Sequence, residues 1–287
     1  MSFYISPFVI LSFVIRLPSF ILLMPLIDLP HVRARAAAIA GQFADTPACL
    51  AGIHALFVDY SDQSHRVSQK LANSAPANEL KTPAPVVRQV LIGLRQPAQA
   101  SPPTALALLK GLWAAGTREE RRLAAELLGV IAAKVPVEAL ALVEAWLPEI
   151  ESAATAHALA EYGLSPLALA DPAAHLQAAF HWATHPLKWM RCFALASLRP
   201  LIQDKKWDDV PGALGVVRVA IDDAAPEIRQ AAATVLSDLL PKSPMEVNLF
   251  LREQAARSNN NAHLIVRAVL TKLTPAAQAE LIKIMRA

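Results

Sequence analysis

The sequence predicts an all-α chain folded as a right-handed α-solenoid, in which helical hairpins stack along one continuous core. Three observations carry this expectation. The chain has 287 residues, 54% of them hydrophobic but only 6% aromatic, and Ala and Leu recur throughout; both lose little side-chain entropy in a helix. Prolines are frequent, 22 in all, yet they fall where helices start. A short pattern, R-x-x-A-x-x-x-L, returns at nearly constant spacing. No stretch beyond residue 30 alternates Val, Ile, Thr and Tyr in the manner of strands.

The prolines act as punctuation. Thr46-Pro47, Thr82-Pro83, Ser101-Pro102, Asp171-Pro172, Ser243-Pro244 and Thr274-Pro275 each precede an apolar run. A capping side chain followed by Pro marks a helix start, because the missing N–H has no partner there in any case. Thr117 with Glu120, and Ser243 with Glu246, have the capping-box spacing.

The repeat sets the architecture. Arg121, Arg191 and Arg229 open the pattern, with Ala124, Ala194 and Ala232 three residues on and Leu128, Leu198 and Leu236 after them. His157 opens the same pattern with Ala160 and Leu164, and Arg88 and Arg267 continue it more loosely. Openers at 88, 121, 157, 191, 229 and 267 stand 33 to 38 residues apart, room for two helices and two short loops. The opener is expected at a helix start, the Ala on the buried face and the Leu in the core. One hairpin cannot bury its apolar stripe alone, so neighbours must stack. Asp223-Ala-Ala-Pro-Glu-Ile-Arg229 followed by Gln-Ala-Ala-Ala-Thr-Val-Leu236 resembles the HEAT consensus D-x-x-x-x-V-R-x-x-A-x-x-x-L. That makes the expected fold a solenoid of HEAT-like hairpins, an α-α superhelix, with Asp223 pairing to Arg229 inside its own repeat. The other openers, without such an Asp, are left to serve a groove. Residues 61–82, polar and rich in Ser, Ala and Asn, read as a long connector with at most one short helix.

Residues 3–27 are strongly apolar. Arg16, Pro7 and Pro18 interrupt the ~20-residue span that a bilayer needs. A basic start and a small-residue cleavage site, the marks of a signal peptide, are missing. The division expected is residues 1–30, an apolar N-terminal extension or membrane segment, and residues 31–287, one HEAT-like solenoid domain. The extension reading takes Met24 as the start of a soluble protein. Cytoplasmic location is expected, with a membrane tether through residues 3–27 as the alternative.

Little in the chain carries familiar catalytic chemistry. There is no Gly-rich phosphate loop, G-x-S-x-G elbow or H-E-x-x-H motif. His181 and His185 are four apart, but no Glu accompanies them and Pro186 disfavours helix at His185. Cys49 and Cys192 belong to no CxxC pattern. The expectation is no metal and no cofactor. A net charge of +3 permits nucleic-acid binding without requiring it. The densest unusual cluster is Trp182, His185, Lys188, Trp189 and Arg191, where aromatic faces interleave with cations. That combination suits nucleic acid, and it suits core-filling tryptophans beside a solvated helix start equally well.

At this cluster a family resemblance enters. Trp182-x6-Trp189-x-Arg191-x-x-Ala194 resembles the W-x-x-S-x-x-x-W-x-R-R-x-A segment of bacterial DNA alkylation repair glycosylases, the AlkC/AlkD group. Residues 228–238 and Pro241-Lys-Ser-Pro244 resemble the next repeat of those proteins, and the likeness extends over about residues 85–275. It implies a HEAT-like solenoid with a basic concave face for double-stranded DNA. It also implies a catalytic Asp within W-D-L-V-D, but here the Trp position is Ala153 and the Asp position is His157. A further cleft Trp of the family falls near Thr234, and the phosphate-contacting Arg is retained as Arg191. A neutral imidazole cannot supply the fixed negative charge that stabilises an oxocarbenium-like centre.

The function expected is therefore a DNA-binding HEAT-like protein related to these glycosylases but without their usual catalytic Asp. Lys188, Trp189, Arg191 and Arg229 are the candidate backbone contacts, and His157 lies at the groove floor. Any activity would be that of a glycosylase on alkylated bases. The alternative is a non-catalytic scaffold that holds a protein partner on its concave face.

Overall fold

A computed structural model describes residues 27–61 and 78–286. The described helices run α1 (Leu29–Gly41), α2 (Thr46–Asp59), α3 (Ala84–Ala100), α4 (Pro102–Ala115), α5 (Arg118–Ile131), α6 (Pro136–Trp146) and α7 (Ala153–Ala158). A π-turn over Leu159–Gly163 extends α7. Then follow α8 (Ser165–Ala170), α9 (Pro172–Ala183), α10 (Lys188–Ala196), α11 (Arg199–Gln203), α12 (Val210–Ala220) and α13 (Pro226–Leu239). The last three are α14 (Pro244–Ala255), α15 (Asn260–Leu270) and α16 (Pro275–Ile284). No strand occurs among the described residues. The apolar N-terminal segment up to residue 26 and most of the 61–82 connector lie outside them. No described helix is long and apolar enough to cross a membrane.

The helices form two rows, and the fold is an α-solenoid. In the first row α1, α3, α5, α7 with its π-turn, α10, α13 and α15 each touch the next. In the second, α2 meets α4, and α9, α12, α14 and α16 follow one another. The Trp113 and Trp146 rings, stacked 4.3 Å apart, join α4 to α6. One continuous apolar core separates the rows, from Val32 to Leu281.

The repeat positions take up the expected places. Ala124, Ala194 and Ala232 are fully buried, and so are Leu128, Leu198 and Leu236; Ala160 and Leu164 are nearly so. Arg121, Arg191 and Arg229 each stand in the first turn of their helix. Arg267 departs from the series, because it lies in the last turn of α15. The loose match picked up the wrong end of that helix.

The caps follow the sequence in part. Asp171 and Thr274 accept from Ala174 N and Ala277 N, and Thr117 accepts from Glu120 N, but the Glu120 carboxylate takes the Thr117 hydroxyl in place of its backbone N–H, so half of the expected box forms. For α2 the cap is Asp45, one residue before Thr46. Thr82 does not cap α3; its hydroxyl donates to the Phe57 carbonyl at 2.9 Å. Ser101 and Ser243 stand at the N-cap without a side-chain capping bond. At Thr82 a carbonyl from α2 takes the hydroxyl, and at Ser101 the nearby Thr104 hydroxyl does, at 2.8 Å.

One contact fixes the middle of the first row. A Cβ on Gly129 would overlap the Tyr162 carbonyl, and one on Gly163 would lie 3.3 Å from the Ala125 carbonyl. Helix α5 and the π-turn thus meet backbone to backbone. Gly129→Ala should lower stability by about 1–3 kcal/mol, since a main-chain carbonyl has little freedom to yield. A thermal melt that leaves Tm unchanged would show that the approach is looser than described.

Candidate functional site

The open side of the first row carries a groove. Its largest part, about 1060 Å³, is bounded by α1, α3, α5 and the π-turn, with Arg88, Ile92, Arg95, Arg122 and Tyr162 in its walls. A recess of about 240 Å³ continues it past Arg118 and His157. Another of about 520 Å³ follows beside Arg199 and Gln203. Glu161 and Tyr162 border all three spaces. Beyond them a fourth hollow holds Lys205 and Lys242.

Helix periodicity decides which cations face this groove. Arg88 and Arg95 are two turns apart on α3 and share one face with Ile92. Both are exposed, and neither has an ion-pair partner among the described residues. On α5 the groove-facing residue is Arg122, one position beyond the opener, bonded to Glu126 at 2.7 Å. Arg118 meets Glu79 at 2.5 Å. Arg199 reaches Glu161 at 2.5 Å and Asp238 at 2.7 Å, so one guanidinium is shared by two carboxylates.

The repeat openers do different work. Arg121 donates to the Glu149 carbonyl at 3.0 Å, in the loop before α7. Arg191 donates to Asp223 at 2.6 Å, in the loop before α13, and also to the carbonyls of His185 and Pro186. Arg229 reaches the Ala224 carbonyl, and Asn261 at 3.4 Å at the start of α15. Arg121 and Arg191 therefore tie their own repeats to the loop of the following one, and Arg229 reaches the next first-row helix, whereas the looser opener Arg88 lines the groove. This corrects the expected pairing of Asp223 with Arg229: the carboxylate is taken by Arg191 of the repeat before. The two separated residues are brought together because stacking places each helix start beside the next loop.

The remaining candidates sit at the same edge. Lys188 bonds Glu227 at 2.8 Å, and its Nζ lies 4.0 Å from the centre of the Trp189 ring. Trp189 packs part-buried against the core. None of Lys188, Trp189, Arg191 and Arg229 lines the groove. Trp182 is a core residue, edge-on to Phe193 at 5.1 Å and to His175 at 5.9 Å. His185 Nδ1 accepts from the Leu187 N–H. No group of three or more potential metal ligands occurs among the described residues.

His157 does reach the groove floor. Burial, the largest influence, lowers its pKa; Glu161 acts to raise it and Arg199 to lower it further. Its Nε2 lies 3.8 Å from Cys192 Sγ. Cys192 occupies the place of the second Arg in W-x-R-R-x-A, a departure legible in the sequence once the segments are aligned. Burial pushes its thiol up to about 11. At neutral pH these two positions therefore meet as an uncharged imidazole and an uncharged thiol. The charged floor residues, Glu161 and Arg199, were not singled out from sequence. Neither belongs to the opener series, and their signal is only their position relative to it.

A family model described as DNA alkylation repair enzyme matches residues 71–273. No curated protein and no solved structure matches the chain.

The tying role of the openers has a direct consequence. Arg191→Ala leaves Asp223 Oδ2 and two carbonyls without their Arg191 donor, while Oδ1 keeps the Ala225 N–H, and it should cost about 1.5–3 kcal/mol of unfolding free energy. Arg88→Ala and Arg95→Ala, which break no described ion pair, should change it by less than about 0.5 kcal/mol. Equal losses in denaturant titration would contradict this division of labour.

Proposed function

The chain belongs to the DNA alkylation repair enzyme family, and we propose that it binds double-stranded DNA along the groove of the first row. The observation that carries this reading is the pair Arg88 and Arg95, two exposed cations on one helix face in a concave space of about 1060 Å³. A groove wall with guanidinium groups unpaired in the described structure draws phosphates and releases counterions on binding. Arg122 adds a third cation on the next helix, partly offset by Glu126.

Lys188, Trp189, Arg191 and Arg229 stand outside the spaces that make up this proposed interface. The charges of Lys188 and Arg191 are already answered by Glu227 and Asp223, and Arg229 is engaged by Asn261. Their contribution to phosphate binding is correspondingly smaller than that of Arg88 and Arg95. His157 is a neutral floor residue in this reading. Base release through a carboxylate at that position is not part of the proposal, because the imidazole carries no negative charge.

A second reading, a protein-binding scaffold, is favoured by one observation. Met245 and Leu249, one turn apart on α14, are 81% and 67% exposed. That apolar surface lies on the second row, so the two readings use different rows of the solenoid.

Duplex affinity measured across a salt series tests the DNA reading. Log K should fall linearly with log salt, and Arg88→Ala/Arg95→Ala should make the slope shallower by about 2, roughly one for each phosphate that the variant no longer neutralises. A double variant that keeps both the parent affinity and the parent slope would show that the groove does not hold the duplex.

A further inference from the structure

We propose that Ile92 is a wedge for the minor groove of duplex DNA, set between Arg88 and Arg95, which hold the phosphate rows on either side. The proposal deepens the DNA-binding reading and rests on it for the presence of the duplex.

The outer strip of α3 has a composition of its own. Arg88, Ile92, Arg95 and Gln99 follow one another at steps of four, three and four residues, which places them on one helix face. All four are exposed, and all four border the same concave space. Three of them are long and polar. Ile92 is the exception, an aliphatic side chain that is 53% exposed. The core takes its apolar contacts from the other side of the helix, where Val90, Leu91 and Leu94 are buried. A single exposed aliphatic residue is ordinary on a protein surface. Ile92 differs because a guanidinium stands about one turn before it and another about one turn after, inside a concavity.

The dimensions of this face match the minor groove. Seven residues of α-helix advance about 10.5 Å, so the two arginines straddle a gap with Ile92 near its middle. The minor groove is about 6 Å wide, narrow enough for one arginine to meet each phosphate row while the side chain between them points at the floor. The major groove, about 12 Å wide, takes a whole helix. Helix α3 is barred from entering it, because α1 and α5 flank it. A Cβ on Gly93 would lie 3.1 Å from the Ala36 carbonyl of α1. The backbone of α3 is therefore seated in the row, and only side chains project towards a ligand.

Isoleucine suits insertion. Branching at Cβ leaves one strongly preferred χ1 rotamer in a helix, so little side-chain freedom is lost on contact. Aliphatic wedges in the minor groove part a base step and kink the duplex. Pyrimidine–purine steps yield most readily. Guanine places its N2 amino group in the minor groove and obstructs the floor, whereas an A·T pair leaves it open.

The test uses the full chain and three duplexes of equal length with central TATA, CGCG or CICI, where I is inosine. Inosine keeps the major-groove edge of guanine and lacks the N2 amino group, so only a minor-groove reader separates the last two. Dyes at the duplex ends report bending by energy transfer. The parent should bind the TATA and CICI duplexes about fivefold more tightly than CGCG, and energy transfer should rise on binding the first two. Ile92→Ala should lose both the preference and the bend while keeping the parent's affinity for CGCG to within about twofold and its salt slope. Ile92→Leu should retain most of both. Equal affinity of the parent for CGCG and CICI, or a preference undiminished in folded Ile92→Ala, overturns the wedge and leaves DNA binding intact. If the parent binds none of the duplexes, the DNA reading falls and the wedge falls with it.

Discussion

Close packing between neighbouring first-row helices governs how the rest of the molecule is arranged. Ala124, Ala160, Ala194 and Ala232 are small and almost wholly buried, so adjacent helices can come near one another. At Gly129 the approach reaches the backbone itself. With its flanks and inner face occupied, each first-row helix has only a narrow outer strip left for function. That strip carries Arg88 and Arg95 on α3, Arg122 on α5, and Glu161 and Tyr162 on the π-turn. The composition of the groove is thus a consequence of how tightly the row is packed.

The same stacking explains why cations of similar appearance in sequence do different work. An opener in the first turn of its helix lies beside the loop that leads into the following repeat. A long side chain there finds carbonyls and carboxylates to satisfy it, as Arg191 does with Asp223 and Arg121 with Glu149. Moving one residue along the helix turns the side chain by about 100° and aims it out of that seam. Arg122 beside Arg121 shows the difference: one faces the groove and the other holds two repeats together. Charge in a repeat protein therefore has to be read by register, because a basic residue at the seam is largely neutralised before any ligand arrives.

Much of the fold was legible in the sequence. The Ala and Leu of the repeat state directly which positions are buried, and Pro next to a capping residue marks many of the helix starts. The site was less legible. Arg121, Arg191 and Arg229 were conspicuous because they recur, and their recurrence reported a structural duty, while Arg88, a looser member of the series, stands in the groove. Arg95, Arg199 and Glu161 belong to no recurring pattern, and the pairing of Glu161 with Arg199 depends on stacking between segments more than thirty residues apart. Arg191 and Asp223 pair across two repeats for the same reason, although Asp223 stands only six residues from Arg229. The π-turn had no sequence signature of its own, and it is what sets Glu161 and Tyr162 side by side at the groove.

The central claim is that ligand chemistry belongs to the open face of the first row. Amide hydrogen exchange of the full chain, with and without a saturating DNA duplex, tests it most directly. Added protection is expected in peptides from α3, α5 and the π-turn, with little change in α12 and α14. Protection confined to α12 and α14, with α3 and the π-turn exchanging as in the free protein, would contradict it.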